Sequence, residues 1–239
     1  MVIAVWGRDG IGKSGFCDEL GKLFAKKGVT VIIDTDLTQP TLPVRLNGAQ
    51  IDSNASLGKA IGMGSSDAAL YLHQHPKLKT LFYAGLTDQD EYMSYELGLE
   101  ADHAAQDFVE RCTELADTVI VDLSGQRSDP FLPAALIHAD KVITLFTPNV
   151  QGICWFNSVK PLISTMNAQE RILPMVAMTD RHHDISAVEK AMDMKLAMVL
   201  PYVREYRQDG ISNGTTRADM RYCQEVNKLQ AMLKGADAI

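Results

Sequence analysis

The sequence is short of the features that mark secreted, metal-bound or membrane-spanning chains. Its 239 residues hold four cysteines, Cys17, Cys112, Cys154 and Cys223, far apart and with no C-x-x-C among them. That spacing argues against a zinc or redox motif and for reduced, mostly buried thiols. A cluster bridging two subunits, which needs only one or two cysteines per chain, stays open. No apolar run approaches the ~20 residues of a membrane span. No basic segment precedes an apolar core at the N-terminus, as a secretory signal would require. Both absences point to the cytoplasm. Positive charge is also in deficit, with 23 Lys and Arg against 30 Asp and Glu, a formal net charge of −7. Coating DNA depends on Lys and Arg neutralising phosphates, so the balance argues against that role, although a local basic face stays open. No internal repeat or low-complexity linker interrupts the chain. At 46% hydrophobic and 22% charged residues it reads as one α/β domain over residues 1–239.

What is present begins at once. Val2-Ile3-Ala4-Val5-Trp6 is a short apolar run of the kind that forms a buried strand. Gly7-Arg8-Asp9-Gly10-Ile11-Gly12-Lys13-Ser14 follows, a full G-x-x-x-x-G-K-S phosphate loop. A helix is predicted next, with Phe16, Leu20, Leu23 and Phe24 at three-to-four spacing and Gly28 as its stop signal. The glycines allow a tight curl whose N–H groups point inward, and the helix N-terminus faces the same anion. Lys13 supplies a point charge for β/γ-phosphates and Ser14 a hydroxyl for Mg2+.

Further strands are predicted over 30–36, 79–83, 118–122, 141–146, 172–178 and 196–200, and helices over 55–61, 67–72, 101–116, 133–138, 149–166, 185–192 and 216–233. Pro161 is expected to kink the long helix that contains it. The alternation argues a three-layer, mainly parallel sheet with helices on both faces. Two strands end in acids, Asp34 with Asp36 and Asp122. In such sheets the carboxyl ends of the strands form the ligand edge. Mg2+ takes oxygen ligands, and a hydrolytic water needs an acceptor to orient it.

These motifs, in this order, resemble the MinD/ParA group of deviant Walker A P-loop ATPases, with a SIMIBI-like fold. The resemblance rests on the phosphate loop, Asp34-Thr35-Asp36, Asp122-Leu123-Ser124-Gly125, Ala139-Asp140-Lys141-Val142-Ile143 with Thr147-Pro148-Asn149, and Leu200-Pro201-Tyr202. It implies ATP and Mg2+ as cofactors. Asp9, Gly10, Ile11, Gly12, Lys13, Ser14 and Gly15 would bind the phosphates, and Pro201 would lie near the base. Ser14, Asp34 and Asp122 would hold Mg2+, the two acids through its water shell. Lys13, Asp36 and Arg8 would act in hydrolysis, Asp36 by orienting the attacking water. Ser124-Gly125 would sense the γ-phosphate. The group's members sandwich two ATP molecules between two subunits, which implies a homodimer, ATP-dependent or constitutive, and a protein partner in a localisation or partition system.

Two residues depart from the group's pattern. Arg8 stands where its trans-acting lysine would, keeping the charge but presenting a planar fork. Asp9 stands where it has glycine. Such departures occur among TadZ/CpaE-like pilus-localisation relatives, so a hydrolysis-poor ATP-binding scaffold is the alternative to a weak or partner-stimulated ATPase. A small-molecule kinase or ligase of the dethiobiotin-synthetase type would need a substrate pocket opposite the γ-phosphate. Where relatives read adenine with Asn, this chain has Met178-Thr179-Asp180-Arg181.

The remaining signals read as structural. His182-His183-Asp184 and His73/His75 are expected in solvated loops rather than at a metal. The last helix lacks the Lys/Arg-flanked bulky face of a membrane anchor, and Met220, Cys223, Val226 and Leu229 look like core. Met166, Met175, Met178, Met192, Met194 and Met198 are expected to fill core positions. Arg204, Arg207, Arg217 and Arg221 are weighed as a DNA patch, with a solvated or nucleotide-edge role favoured. Residues 87–99 read as an irregular surface loop, with partner contact as the second option.

Overall fold

The apolar run at the N-terminus forms strand β1, Val2–Gly7, buried along its whole length. In this computed structural model residues 1–46, 49–63, 67–91, 100–203 and 220–235 are described. The other strands are β2 (Thr30–Asp34), β3 (His73–Gln74), β4 (Leu81–Ala84), β5 (Thr118–Asp122), β6 (Lys141–Phe146), β7 (Ile172–Thr179) and β8 (Met198–Pro201). They form one sheet in the order β3-β4-β2-β5-β1-β6-β7-β8. Every pairing is parallel except β3 with β4.

The helices are α1 (Lys13–Ala25), α2 (Leu42–Arg45), α3 (Leu57–Met63), α4 (Ala101–Leu115), α5 (Phe131–His138), α6 (Val150–Thr165), α7 (Ile185–Met192) and α8 (Met220–Gly235). The pleat sends alternate strand residues to opposite faces. Ile3, Val5, Ile32 and Ile120 pack with Phe16, Leu20 and Phe24 of α1 and Val226 and Leu229 of α8. Ala4, Trp6, Val31, Ile33, Val119 and Val121 pack on the other face with α4 and α5. The expected three-layer, mainly parallel architecture is therefore present, and none of the helices described is long and apolar enough to cross a membrane.

The structure departs from the sequence expectations in specific places. Neither strand β3 nor helix α2 is among the predicted elements; each is too short to leave a period, and α2 carries Pro43 in its first turn. His73 is not in a solvated loop: it is buried in β3, with its Nε2 2.8 Å from the Ala55 carbonyl. Residues 67–72 form a single 3-10 turn, Ala68–Tyr71, rather than a helix. Met220 is 81% exposed and Met194 39% exposed, so neither is core, while Met175, Met192 and Met198 are buried. Of the four cysteines, Cys17 and Cys112 are buried and Cys154 is exposed. Burial pushes the Cys112 thiol up to about 12, which leaves it protonated and inert. Asp184 caps α7 by accepting from Ala187 N–H, and His182 and His183 lie in the turn before it. Residues 92–99, and Arg204, Arg207 and Arg217, lie outside the described residues.

Candidate functional site

The centre of the sheet delivers the loops. β1 lies between β5 and β6, and β5 lies beside β2, with Asp34 and Asp122 directly opposed in register. The carboxyl ends of β1, β2 and β5 thus bring the phosphate loop and the strand-end acids to one edge.

The loop itself has the backbone its glycines permit. Gly10 has φ +73° and Gly12 φ +87°, left-handed values that strain any residue with a Cβ. Gly12 is also the N-cap of α1, with no side-chain cap, so the first N–H groups of the helix are left for a ligand. Lys13 is 7% exposed, and its Nζ donates to the Arg8 carbonyl at 2.9 Å and to Asp9 Oδ1 at 3.2 Å. Asp9 Oδ1 also accepts from Gly125 N–H at 2.9 Å. Arg8 is exposed at the rim, where its Nη1 donates to Gln151 Oε1 at 3.3 Å.

A polar cavity of about 490 Å³ opens over this loop, bordered by Lys13, Ser14, Asp34, Asp36, Asp122 and Ser124 among others. A mostly apolar cavity of about 350 Å³ adjoins it, lined by Met178, Pro201, Tyr202 and Tyr222. Gly10 and Gly12 border both. Tyr202 belongs to the Leu200-Pro201-Tyr202 segment that the sequence marks, whereas Tyr222 carries no sequence signal. Tyr222 sits on α8, far from every motif, and only the helix packing brings it here.

Beneath the polar cavity lies a charge cluster with no sequence signature. The Arg45 guanidinium, buried at the end of α2, meets Asp18 Oδ1 at 2.7 Å, Asp34 Oδ2 at 3.0 Å and, closer still, Asp122 Oδ2. Asp34 is further engaged by the Thr41 hydroxyl and by Asp36 N–H. Burial pushes the Asp34 carboxyl up while Arg45 pulls it down and Asp122 adds to the rise. Burial alone would lower the Arg45 pKa, but Asp18, Asp34 and Asp122 together hold it well above its ordinary value. Asp34 and Asp122, expected at a metal, are thus already paired with a guanidinium.

Asp129 is the other unanticipated residue. It is buried after the turn that follows β5, and its Oδ2 accepts from the Thr35 hydroxyl, from Ser124 N–H at 3.0 Å and from Ser124 Oγ at 2.8 Å. Its Oδ1 accepts from Phe131 N–H at 2.9 Å. It therefore fixes Ser124 and Gly125 against the end of β2. Burial pushes its carboxyl up to about 6 despite those hydrogen bonds. A raised folded-state pKa means the native chain binds the extra proton between pH ~4 and ~6, so this contribution is full below that window and lost as pH rises through it. Wild type is therefore expected to gain about 2 kcal/mol in stability relative to Asp129→Asn as pH falls from 7 to 4. Urea titrations of both proteins at the two pH values check this; a difference independent of pH would contradict it.

No protein-family model and no curated protein matches the sequence. Solved structures do match in fold. A ParA family ATPase from Chlorobium tepidum superposes with a TM-score of 0.79 at 14% identity, over 97% of this chain and 98% of the other. This is the MinD/ParA ATPase fold. MinD from Pyrococcus horikoshii, complexed with Mg-ADP, has a TM-score of 0.76 at 15% identity, over 97% of this chain and 95% of the other. A plasmid partition protein from Borrelia burgdorferi bound to AMPPNP has a TM-score of 0.78 at 14% identity, over 98% of both chains.

Within the MinD/ParA fold, the donor set on the polar cavity can be tested against Mg2+-nucleotide. The phosphate loop fits an anion: two left-handed glycines, an uncapped helix start and a desolvated ammonium converge on one cavity. Among the described residues no group of three or more His, Cys, Asp or Glu converges as a metal-ligand set. Oxygen donors that border the cavity, Ser14, Asp34, Asp36 and Asp122, suit a hard cation that arrives with phosphates and keeps much of its water.

Proposed function

We propose that the chain is a nucleotide-dependent switch of the MinD/ParA kind, binding ATP and ADP at the phosphate loop and working as a homodimer with a protein partner whose position it controls. The observation that carries this reading is the junction at Gly10 and Gly12, where a polar, Lys13-bearing cavity meets an apolar one. A nucleotide has the same two-ended chemistry: phosphates belong over the loop, and a base belongs against Pro201, Tyr202 and Tyr222. Structural relatives carrying Mg-ADP and AMPPNP support the assignment.

The residues divide the work. Backbone N–H groups from Gly10 to Gly15 and the Lys13 ammonium hold the phosphates. Ser14 would ligate Mg2+ directly, with Asp34 and Asp122 reached through water. The ion would neutralise charge on the β/γ-phosphates. Asp36, whose Oδ1 is fixed by Thr38 N–H at 2.9 Å and by the Thr38 hydroxyl, orients a water. Ser124-Gly125, held by Asp129, reads whether a terminal phosphate is present. Arg8, exposed beside α6, is placed to reach a second copy. Asp34 and Asp122 also share the Arg45 guanidinium, which fixes their position beneath the cavity. The chain acts in the cytoplasm as a single domain.

A second reading is favoured by one contact. The Asp9 carboxylate rests on Lys13 and Gly125, which suits a hydrolysis-poor scaffold of the pilus-localisation kind. Mg2+-ATP turnover against protein concentration, with light scattering on the same samples, separates the two. Turnover rising more than linearly alongside ATP-dependent dimers supports the switch. Nucleotide bound but uncleaved at every concentration supports the scaffold. Absence of both binding and turnover contradicts either.

A further inference from the structure

Asp9 is the one acid inside the phosphate loop, and its carboxylate does not face away. A single oxygen, Oδ1, joins two donors from separate parts of the fold: Lys13 Nζ at 3.2 Å, from the first residue of α1, and Gly125 N–H at 2.9 Å, from the turn after β5. Under the nucleotide reading, on which this inference rests, those two donors are the ones a terminal phosphate would take. The closeness is built in, because a Cβ on Gly125 would run into the Asp9 carboxylate.

The energetics are asymmetric. Lys13 is almost wholly withdrawn from water, whereas the Asp9 side chain is 72% exposed. A desolvated ammonium binds an anion strongly, while an exposed carboxylate loses little on leaving. Asp9 is thus displaceable, not a fixed part of the core. Displacement does not remove it, however. Tethered by its backbone next to Gly10, it stays beside whatever replaces it, and like charges in a shared site repel.

We propose that the Asp9 carboxylate is the resident anion of the terminal-phosphate seat, and that it makes the site select nucleoside diphosphates over triphosphates. A diphosphate fills the loop formed by Gly10 to Ser14, its outer phosphate sharing the Lys13 ammonium with Asp9, which stays on Gly125. A triphosphate must evict the carboxylate and then lie against it. The exposed position lets the residue be changed without touching the core, so the test is clean.

Isothermal titration of ADP and ATP, at one fixed Mg2+ concentration, into wild type, Asp9→Asn, Asp9→Gly and Lys13→Ala provides that test. Wild type is expected to bind ADP at least ~10-fold more tightly than ATP. Both Asp9 variants are expected to gain ~10-fold or more in ATP affinity with ADP changed by less than ~3-fold, since only the longer ligand meets the carboxylate. Equal changes for both nucleotides, or no change, would overturn the proposal while leaving the nucleotide site intact, provided ADP binding is lost in Lys13→Ala. Failure of wild type and both Asp9 variants to bind either nucleotide would overturn the nucleotide reading and this inference with it.

Discussion

Exchanging Arg45 for methionine is expected to cost about 3–5 kcal/mol of folding stability, the usual consequence of stripping one partner from a buried ion cluster. For a chain of this size that corresponds to a fall in Tm of roughly 6–20 °C. The reason is the register of β2 and β5, which places Asp34 and Asp122 side by side. Both are buried, Asp18 joins them from α1, and Arg45 is the cation they share. Methionine fills much of the space and keeps contact with the Tyr83 ring, which lies 5.9 Å from the guanidinium carbon, but leaves the carboxylates facing one another. The loss should be smaller in acid. Without Arg45 the Asp34 pKa rises further above its unfolded value, so the variant's stability is fullest when the acids are protonated and falls as pH rises. Lysine at this position keeps the charge but not the planar fork, and should fall between the two. Adding Asp122→Asn to the methionine variant should recover part of the loss. Thermal melts at pH 5 and 7 check all of this; an Arg45→Met protein within about 0.5 kcal/mol of wild type would mean the cluster does not bear on the fold.

The second large effect concerns Lys13. Lys13→Ala is expected to weaken ADP and ATP binding by at least ~100-fold, in line with losing a desolvated, charge-assisted contact. The ammonium has two partners inside the chain, Asp9 and the Arg8 carbonyl. Its removal should barely disturb the core while leaving the phosphate seat without its cation. Nucleotide-induced shifts in Tm report this directly, because a ligand stabilises the folded chain by an amount that grows with the logarithm of its concentration over Kd. An equal shift in wild type and variant would mean that nucleotide binds elsewhere.

Much of the architecture was legible because it is written locally. The apolar run of β1, the G-x-x-x-x-G-K-S loop and the α1 periodicity adjoin one another, and β-branched strands ending in Asp34 and Asp122 mark the sheet edge. What was not legible depends on distance. Arg45 meets Asp122 across 77 residues and Asp18 across 27, and it lies in a four-residue helix with no period to read. Asp129 resembles an ordinary turn acid in sequence, bonded to its neighbour Ser124; only the fold brings Thr35 to it, from 94 residues away. The direction of Asp9 could not be read either, since sequence names a side chain and not the donors it will meet. Met220 illustrates the opposite failure. It shares the spacing of Val226 and Leu229 but stands beyond the part of α8 that packs on the sheet.

The most direct measurement is calorimetric titration of Mg2+-ADP into wild type and Lys13→Ala at neutral pH. The account predicts saturable binding of one nucleotide per chain in wild type and none in the variant at the same concentrations. Indistinguishable isotherms for the two proteins, or no binding by wild type, would contradict it.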